Sequence, residues 1–119
     1  MKLTRLGFIA AMGAAVVGFT AGPASASGVI YSSEGGASVG FDSSSQYVTV
    51  WDEKADGHAA VGRVYYQGKL WFTLWNTKGA HTSEMEDSLV PRGAIRVEAC
   101  IGNKGKVLAG SCVSRPDKS

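Results

Sequence analysis

Two cysteines, two histidines and three prolines are all that the 119 residues contain of these types, and each scarcity removes a class of chemistry. Cys100 and Cys112 lie too far apart for the Cys-x-x-Cys spacing of a catalytic dithiol. No serine sits in a Gly-x-Ser-x-Gly elbow, and no catalytic, metal-binding or nucleotide-binding signature stands out. No window carries a helical apolar stripe, which leaves strands to build the fold. The formal net charge is only +2. Without a cluster of lysine and arginine, neither nucleic acid nor anionic membrane is an expected partner. The tail from Ser114 to Ser119 has no hydrophobic anchor.

What the chain does have begins with Lys2 and Arg5, followed by a charge-free stretch from Leu6 to Ala21. A basic start, a short apolar segment and the small residues Ala24-Ser25-Ala26 make the pattern of a cleavable signal peptide. Residues 1–26 are therefore expected to be removed between Ala26 and Ser27. That leaves one secreted, extracellular domain over residues 27–119, with no membrane attachment after cleavage. A membrane anchor fits less well, because the run is short for a bilayer span and is diluted by Gly7, Gly13 and Gly18. Loss of Lys2 and Arg5 brings the basic residues level with the ten acidic ones. Outside the cytosol Cys100 and Cys112 are expected to be bonded to each other. Such a bridge stabilises by about 3 kcal/mol, a large share of the stability of a small domain.

After position 36, apolar residues recur at every second place in short runs bounded by Gly, Asn, Asp or Ser, as half-buried strands require. Strands are predicted at Ala37 to Phe41, Gln46 to Trp51, His58 to Tyr66, Lys69 to Trp75, Gly93 to Ile101 and Lys106 to Val113. A weaker one is predicted around His81 to Leu89. Residues 27–35 and 114–119 read as loose ends. The pairs Asp56-Gly57 and Gln67-Gly68 favour tight hairpins, since glycine accepts the positive φ these turns need. Six or seven short antiparallel strands predict an all-β fold, a small β-sandwich of immunoglobulin-like architecture with one disulfide. Cys100 falls on the polar side of its strand, opposite Ile95, Val97 and Ala99. The bridge is thus expected to staple a C-terminal hairpin from its outer side.

The string Trp51-Asp52-Glu53-Lys54-Ala55-Asp56-Gly57-His58, then Leu74-Trp75-Asn76 before a glycine turn, then a strand holding Gly93, Arg96, Val97 and Cys100, and a closing Cys112, resembles a group of small secreted actinobacterial proteins. The resemblance covers most of residues 27–119. It implies a signal peptide, a β-rich domain and one disulfide, and it carries no activity to named residues.

Alternation puts Trp71, Thr73 and Trp75 on one face of a strand and Leu70, Phe72 and Leu74 on the other. With Tyr47, Trp51 and Tyr65 from preceding strands, Trp71 and Trp75 compose an expected aromatic face on one sheet, suited to sugars or partner surfaces. The competing expectation is that these rings fill the core. Asp52, Glu53 and Asp56 begin like a calcium loop but lack its downstream glutamate, so no metal is assigned. His58 and His81 with Asp52, Asp56 or Glu84, or Glu98 with Arg96, are what a small hydrolase or ribonuclease would draw on. Leu89-Val90-Pro91-Arg92-Gly93 reads as a substrate of trypsin-like proteases and as the reactive segment of an inhibitor. The expected function is a non-enzymatic binding module for an extracellular protein or glycan, with no cofactor. A protease inhibitor acting through Leu89 to Gly93, and a small secreted hydrolase or ribonuclease, are the alternatives.

Overall fold

Turn chemistry sets the strand boundaries. Gln67 and Gly68 both take positive φ, 53° and 78°, the paired left-handed conformation of a two-residue hairpin whose twist matches its strands. Lys104 and Gly105 repeat it at 50° and 82°. The computed structural model describes residues 28–119; the signal peptide and its cleavage junction, read from residues 1–27, lie outside them. The described chain runs β1 (Gly28–Tyr31), a 3-10 turn (Ser33–Gly35), β2 (Ala37–Asp42), β3 (Tyr47–Asp52), β4 (Ala59–Tyr66), β5 (Lys69–Asn76), β6 (Ser83–Asp87), β7 (Ala94–Asn103), β8 (Lys106–Val107) and β9 (Val113–Lys118).

These strands form two antiparallel sheets. Sheet I has the order β1-β2-β3-β6, and sheet II has the order β9-β7-β4-β5 with β8 paired to β7. The predicted all-β sandwich with one disulfide is thus the fold. Between the sheets, Val39, Phe41, Val48 and Val50 of sheet I meet Ala60, Val64, Leu74, Ile95, Val97 and Ala99 of sheet II. The core is aliphatic except for Phe41, with Tyr66 and Phe72 at its margin. Gly62 lies where the sheets approach most tightly on β4: a Cβ there would stand 2.6 Å from Val50 Cγ2 and 3.2 Å from Val39.

Four expectations need correction. Residues 28–31 are not loose: Gly-Val-Ile-Tyr pairs with β2 and buries Ile30. Residues 113–118 are not loose either, since β9 pairs with β7 from Val113↔Ala99 to Lys118↔Ala94. Its sequence hides this, because the inward residues are Arg115 and Asp117 and because Pro116 is tolerated only at a sheet edge. The strand foreseen at Lys106 to Val113 shrinks to Lys106–Val107, for the chain turns through Gly110 at φ 84°. Finally, the register slips between Val64↔Phe72 and Tyr65↔Leu70, so Trp71 is the extra residue of a β-bulge.

The Cys100–Cys112 bridge joins β7 to the residue preceding β9, with a Cα–Cα distance of 4.2 Å. It lies on the outer side of sheet II, as expected from the phase of β7. Cys100 is nonetheless fully buried. Its cross-strand neighbour Val61, also fully buried and outside the main core, is paired with Trp75 on the other side. The Trp75 ring lies close over Gly102, where a Cβ would come within 2.9 Å of Cη2. Disulfide, Val61 and Trp75 therefore make a second, small apolar cluster on the outside of sheet II.

Candidate functional site

The outer face of sheet I is built from alternate residues of its strands, brought into rows by the register. One row is Tyr31, Ser38, Trp51 and Ser83; the next is Val29, Gly40, Thr49 and Met85; the third is Asp42, Tyr47 and Asp87. Four of these are large apolar groups held in solvent: Val29 is 46%, Tyr31 55%, Tyr47 40% and Met85 61% exposed. Trp51 is half-buried because it leans across Gly40, whose missing side chain leaves its ring 3.2 Å from the Cβ position. Between Tyr47 and Trp51 this leaves a shallow trough of about 320 Å³, floored by Gly40 and Thr49 and reaching Val29. Exposed apolar side chains gathered on one face in this way are where contact surfaces are sought.

Carboxylates frame the rings. Asp42 Oδ1 accepts bonds from Ser44 N at 2.9 Å and Ser44 Oγ at 2.7 Å. These, with a bond from Ser45 N, hold its carboxyl below the ordinary aspartate value. Asp87 Oδ1 accepts from Leu89 N at 2.9 Å. Glu53 is held beside Trp51 by Ser38, whose hydroxyl donates to Oε2 at 2.5 Å.

Only Tyr47 and Trp51 of the five expected aromatic residues lie here. The chain crosses from sheet I to sheet II after β3, so Tyr65 and Trp75 face solvent on the opposite side of the sandwich. Trp75 covers Val61 rather than standing free. Trp71 belongs to neither face: the bulge carries it to the open margin, where its Nε1 donates to Ser88 O at 3.1 Å. There its ring meets Tyr66 edge-on at 5.8 Å. The rings thus neither form one platform nor fill the core. Val29, Tyr31 and Met85 were not foreseen; the alternation in Gly28–Tyr31 and Ser83–Asp87 is the signal that points to them.

Beside the disulfide cluster, the outer face of sheet II carries a polar ladder. Glu98 Oε1 lies 3.3 Å from Arg63 Nη1 and accepts from the Tyr65 hydroxyl at 3.0 Å. Arg96 Nη2 donates to Ser114 Oγ at 3.1 Å. Tyr65, Arg96 and Glu98 line a groove of about 500 Å³ to which neither histidine contributes.

Both histidines stand at the end of the sandwich where the loops after β3, β5 and β7 meet. A cleft of about 840 Å³ there is lined by Asp52, Lys54, His58, Thr77, Asn103 and Lys104 together with glycine and alanine. His58 Nδ1 pairs with the Asn103 side-chain amide at 2.9 Å. His81 N donates to Asp52 O at 2.6 Å. Burial raises the Asp52 carboxyl above its usual value, against the opposing bond from Lys54 N. Asn76, fully buried, clips the cleft wall: its Nδ2 donates to Val50 O and Thr82 O, and its Oδ1 accepts from Lys78 N and Thr82 Oγ1. Asp52, Glu53 and Asp56 do not converge as a calcium loop would need. Asp52 points inward, Glu53 meets Ser38, and Asp56 Oδ1 accepts from His58 N at 3.0 Å. Glu84 is engaged separately with Lys78 at 2.8 Å.

The segment Leu89 to Gly93 is not an extended, free loop. Leu89 is exposed at φ 53°, but Val90 is a core residue. Gln46 Nε2 donates to Val90 O at 2.7 Å, Arg92 Nη1 to Ser43 O at 2.7 Å, and Ser119 N to Gly93 O at 2.9 Å. A protease reading this backbone as a strand would have to withdraw Val90 from the core and break those bonds.

These features define a disulfide-stapled antiparallel β-sandwich with an aromatic, acid-flanked outer face. Comparison with protein families, curated proteins and solved structures finds no match to the chain.

Proposed function

We propose that the protein is an exported, non-enzymatic glycan-binding module whose ligand lies on the outer face of sheet I. The observation that carries this reading is the gathering of Tyr31, Tyr47, Trp51, Val29 and Met85 on one solvent-facing surface around the side-chain-free floor at Gly40. A sugar ring presents an apolar C–H face that stacks on aromatic rings, while its hydroxyls need carboxylates or hydroxyls at the margin. Asp42, Asp87, Thr49 and Ser83 supply these. Export is supported by the charge-free stretch Leu6 to Ala21 and by the disulfide.

Retention on insoluble polysaccharides tests the reading. Tyr47→Ala and Trp51→Ala are expected to weaken retention at least tenfold, which corresponds to about 1.4 kcal/mol, with thermal stability nearly unchanged. Trp75→Ala is expected to lower thermal stability instead, because it uncovers Val61. Equal retention of the parent and both sheet I variants would contradict the assignment of the face.

A further inference from the structure

We infer that the glycan taken by the outer face of sheet I carries free amino groups, as a chain of glucosamine-type sugars does; this rests on the glycan-binding reading above. The sign of the surface charge points there. The outward positions of β1, β2, β3 and β6 hold no lysine, arginine or histidine, yet they hold Asp42 and Asp87, with Glu53 at the end of β3. Arg63 and Arg96 project from the opposite face, Lys54 and Lys104 line the end cleft, and Arg115 points inward from β9, with its guanidinium packed against Gly28 at the rim of sheet I. Arg92, which reaches the turn beside Asp42, is engaged with the Ser43 carbonyl. A chain whose charges nearly cancel therefore shows an excess of carboxylates where its rings are displayed, with Arg92 and Arg115 at the margin, and such a surface favours a ligand of opposite sign.

The placement suits an ammonium group in particular. Asp42 and Asp87 are the direct cross-strand neighbours of Tyr47, so their Cβ atoms lie about 5 Å to either side of it. A cation over the Tyr47 ring, within about 6 Å of its centroid, has a carboxylate on each flank. The hydrogen bonds from described residues to Asp42 and Asp87 all go to Oδ1, leaving each Oδ2 to a ligand. The arrangement recurs at the far end of β3, where Glu53 stands beside Trp51. Tyr47 and Trp51 are about 13 Å apart along the strand at 3.3–3.4 Å per residue, a span for a short oligosaccharide rather than a single sugar. A repeating amine along that chain meets a ring and an acid at both stations.

Two forms of one polymer, chitosan and its N-acetylated parent chitin, test this with the full exported chain. Depletion is measured at about pH 5, above the ordinary aspartate range. At least tenfold stronger retention on chitosan is expected, falling as salt is raised. Asp42→Asn with Asp87→Asn is expected to reduce that retention about tenfold, whereas Lys104→Ala, in the end cleft, leaves it unchanged. Equal or stronger retention on chitin, lost in Trp51→Ala, would overturn the amine and leave the glycan-binding reading standing. Retention on neither polymer, with none on other polysaccharides, would overturn both. Release from chitosan by poly-lysine but not by glucosamine oligomers would assign a basic peptide and likewise overturn the proposal.

Discussion

The alternation that sends Val48 and Val50 into the core puts Asp52 at the next inward position of β3, where 3% of it remains exposed. Burial disfavours its charge, and nearby Asp56 and Glu53 disfavour it further, against the opposing Lys54 amide and His81. The folded chain therefore binds a proton on Asp52 more tightly than the unfolded chain does. Its contribution to stability is most favourable below the unfolded aspartate range and declines as pH rises through the elevated folded value. Asp52→Asn keeps an acceptor for Lys54 N and removes the charge. Its melting temperature is expected to exceed the parent's at pH 7, and the difference to vanish in acid; a variant that melts lower at pH 7 would show the charge to be useful. The sequence pattern ends this strand at Trp51 and reads Asp52 as the start of a loop, so its inward phase escaped, as did its enclosure by the β5–β6 and β7–β8 turns, which are remote in sequence.

Strands were the most legible elements, since period-two runs of valine, leucine and isoleucine have few other ways to bury one face. Three things escaped that pattern. The bulge at Trp71 is a one-residue offset between β4 and β5, and it undoes the phase that grouped Trp71 with Trp75. The polar edge strand β9 turns Arg115, partly exposed, and Asp117 inward instead of apolar side chains. The assignment of strands to sheets also escaped, because it depends on pairings distant in sequence. For that reason Tyr47 and Tyr65, on consecutive strands, seemed to share a face and in fact point to opposite sides. The contact between the sheets has its own test at Gly62. Gly62→Ala places a methyl against Val50 and Val39 and is expected to cost about 1–3 kcal/mol as overpacking, measured by denaturant unfolding. An unchanged midpoint would mean that the sheets are not in tight register there.

As a whole the molecule keeps its distinct surfaces apart. One outer face carries a polar ladder and the disulfide cluster, and one end carries a cleft with Asp52 and His58. The other outer face carries rings and carboxylates around a trough floored by Gly40 and Thr49. On the reading above, that last surface is where ligand contacts protein. Amide chemical-shift mapping with soluble glucosamine oligomers reads this directly, residue by residue. The predicted result is perturbation concentrated at Tyr31, Gly40, Thr49, Trp51 and Met85, with the end cleft silent. Perturbation centred on Gly57, Gly79, Asn103 and Lys104, with sheet I undisturbed, would contradict it.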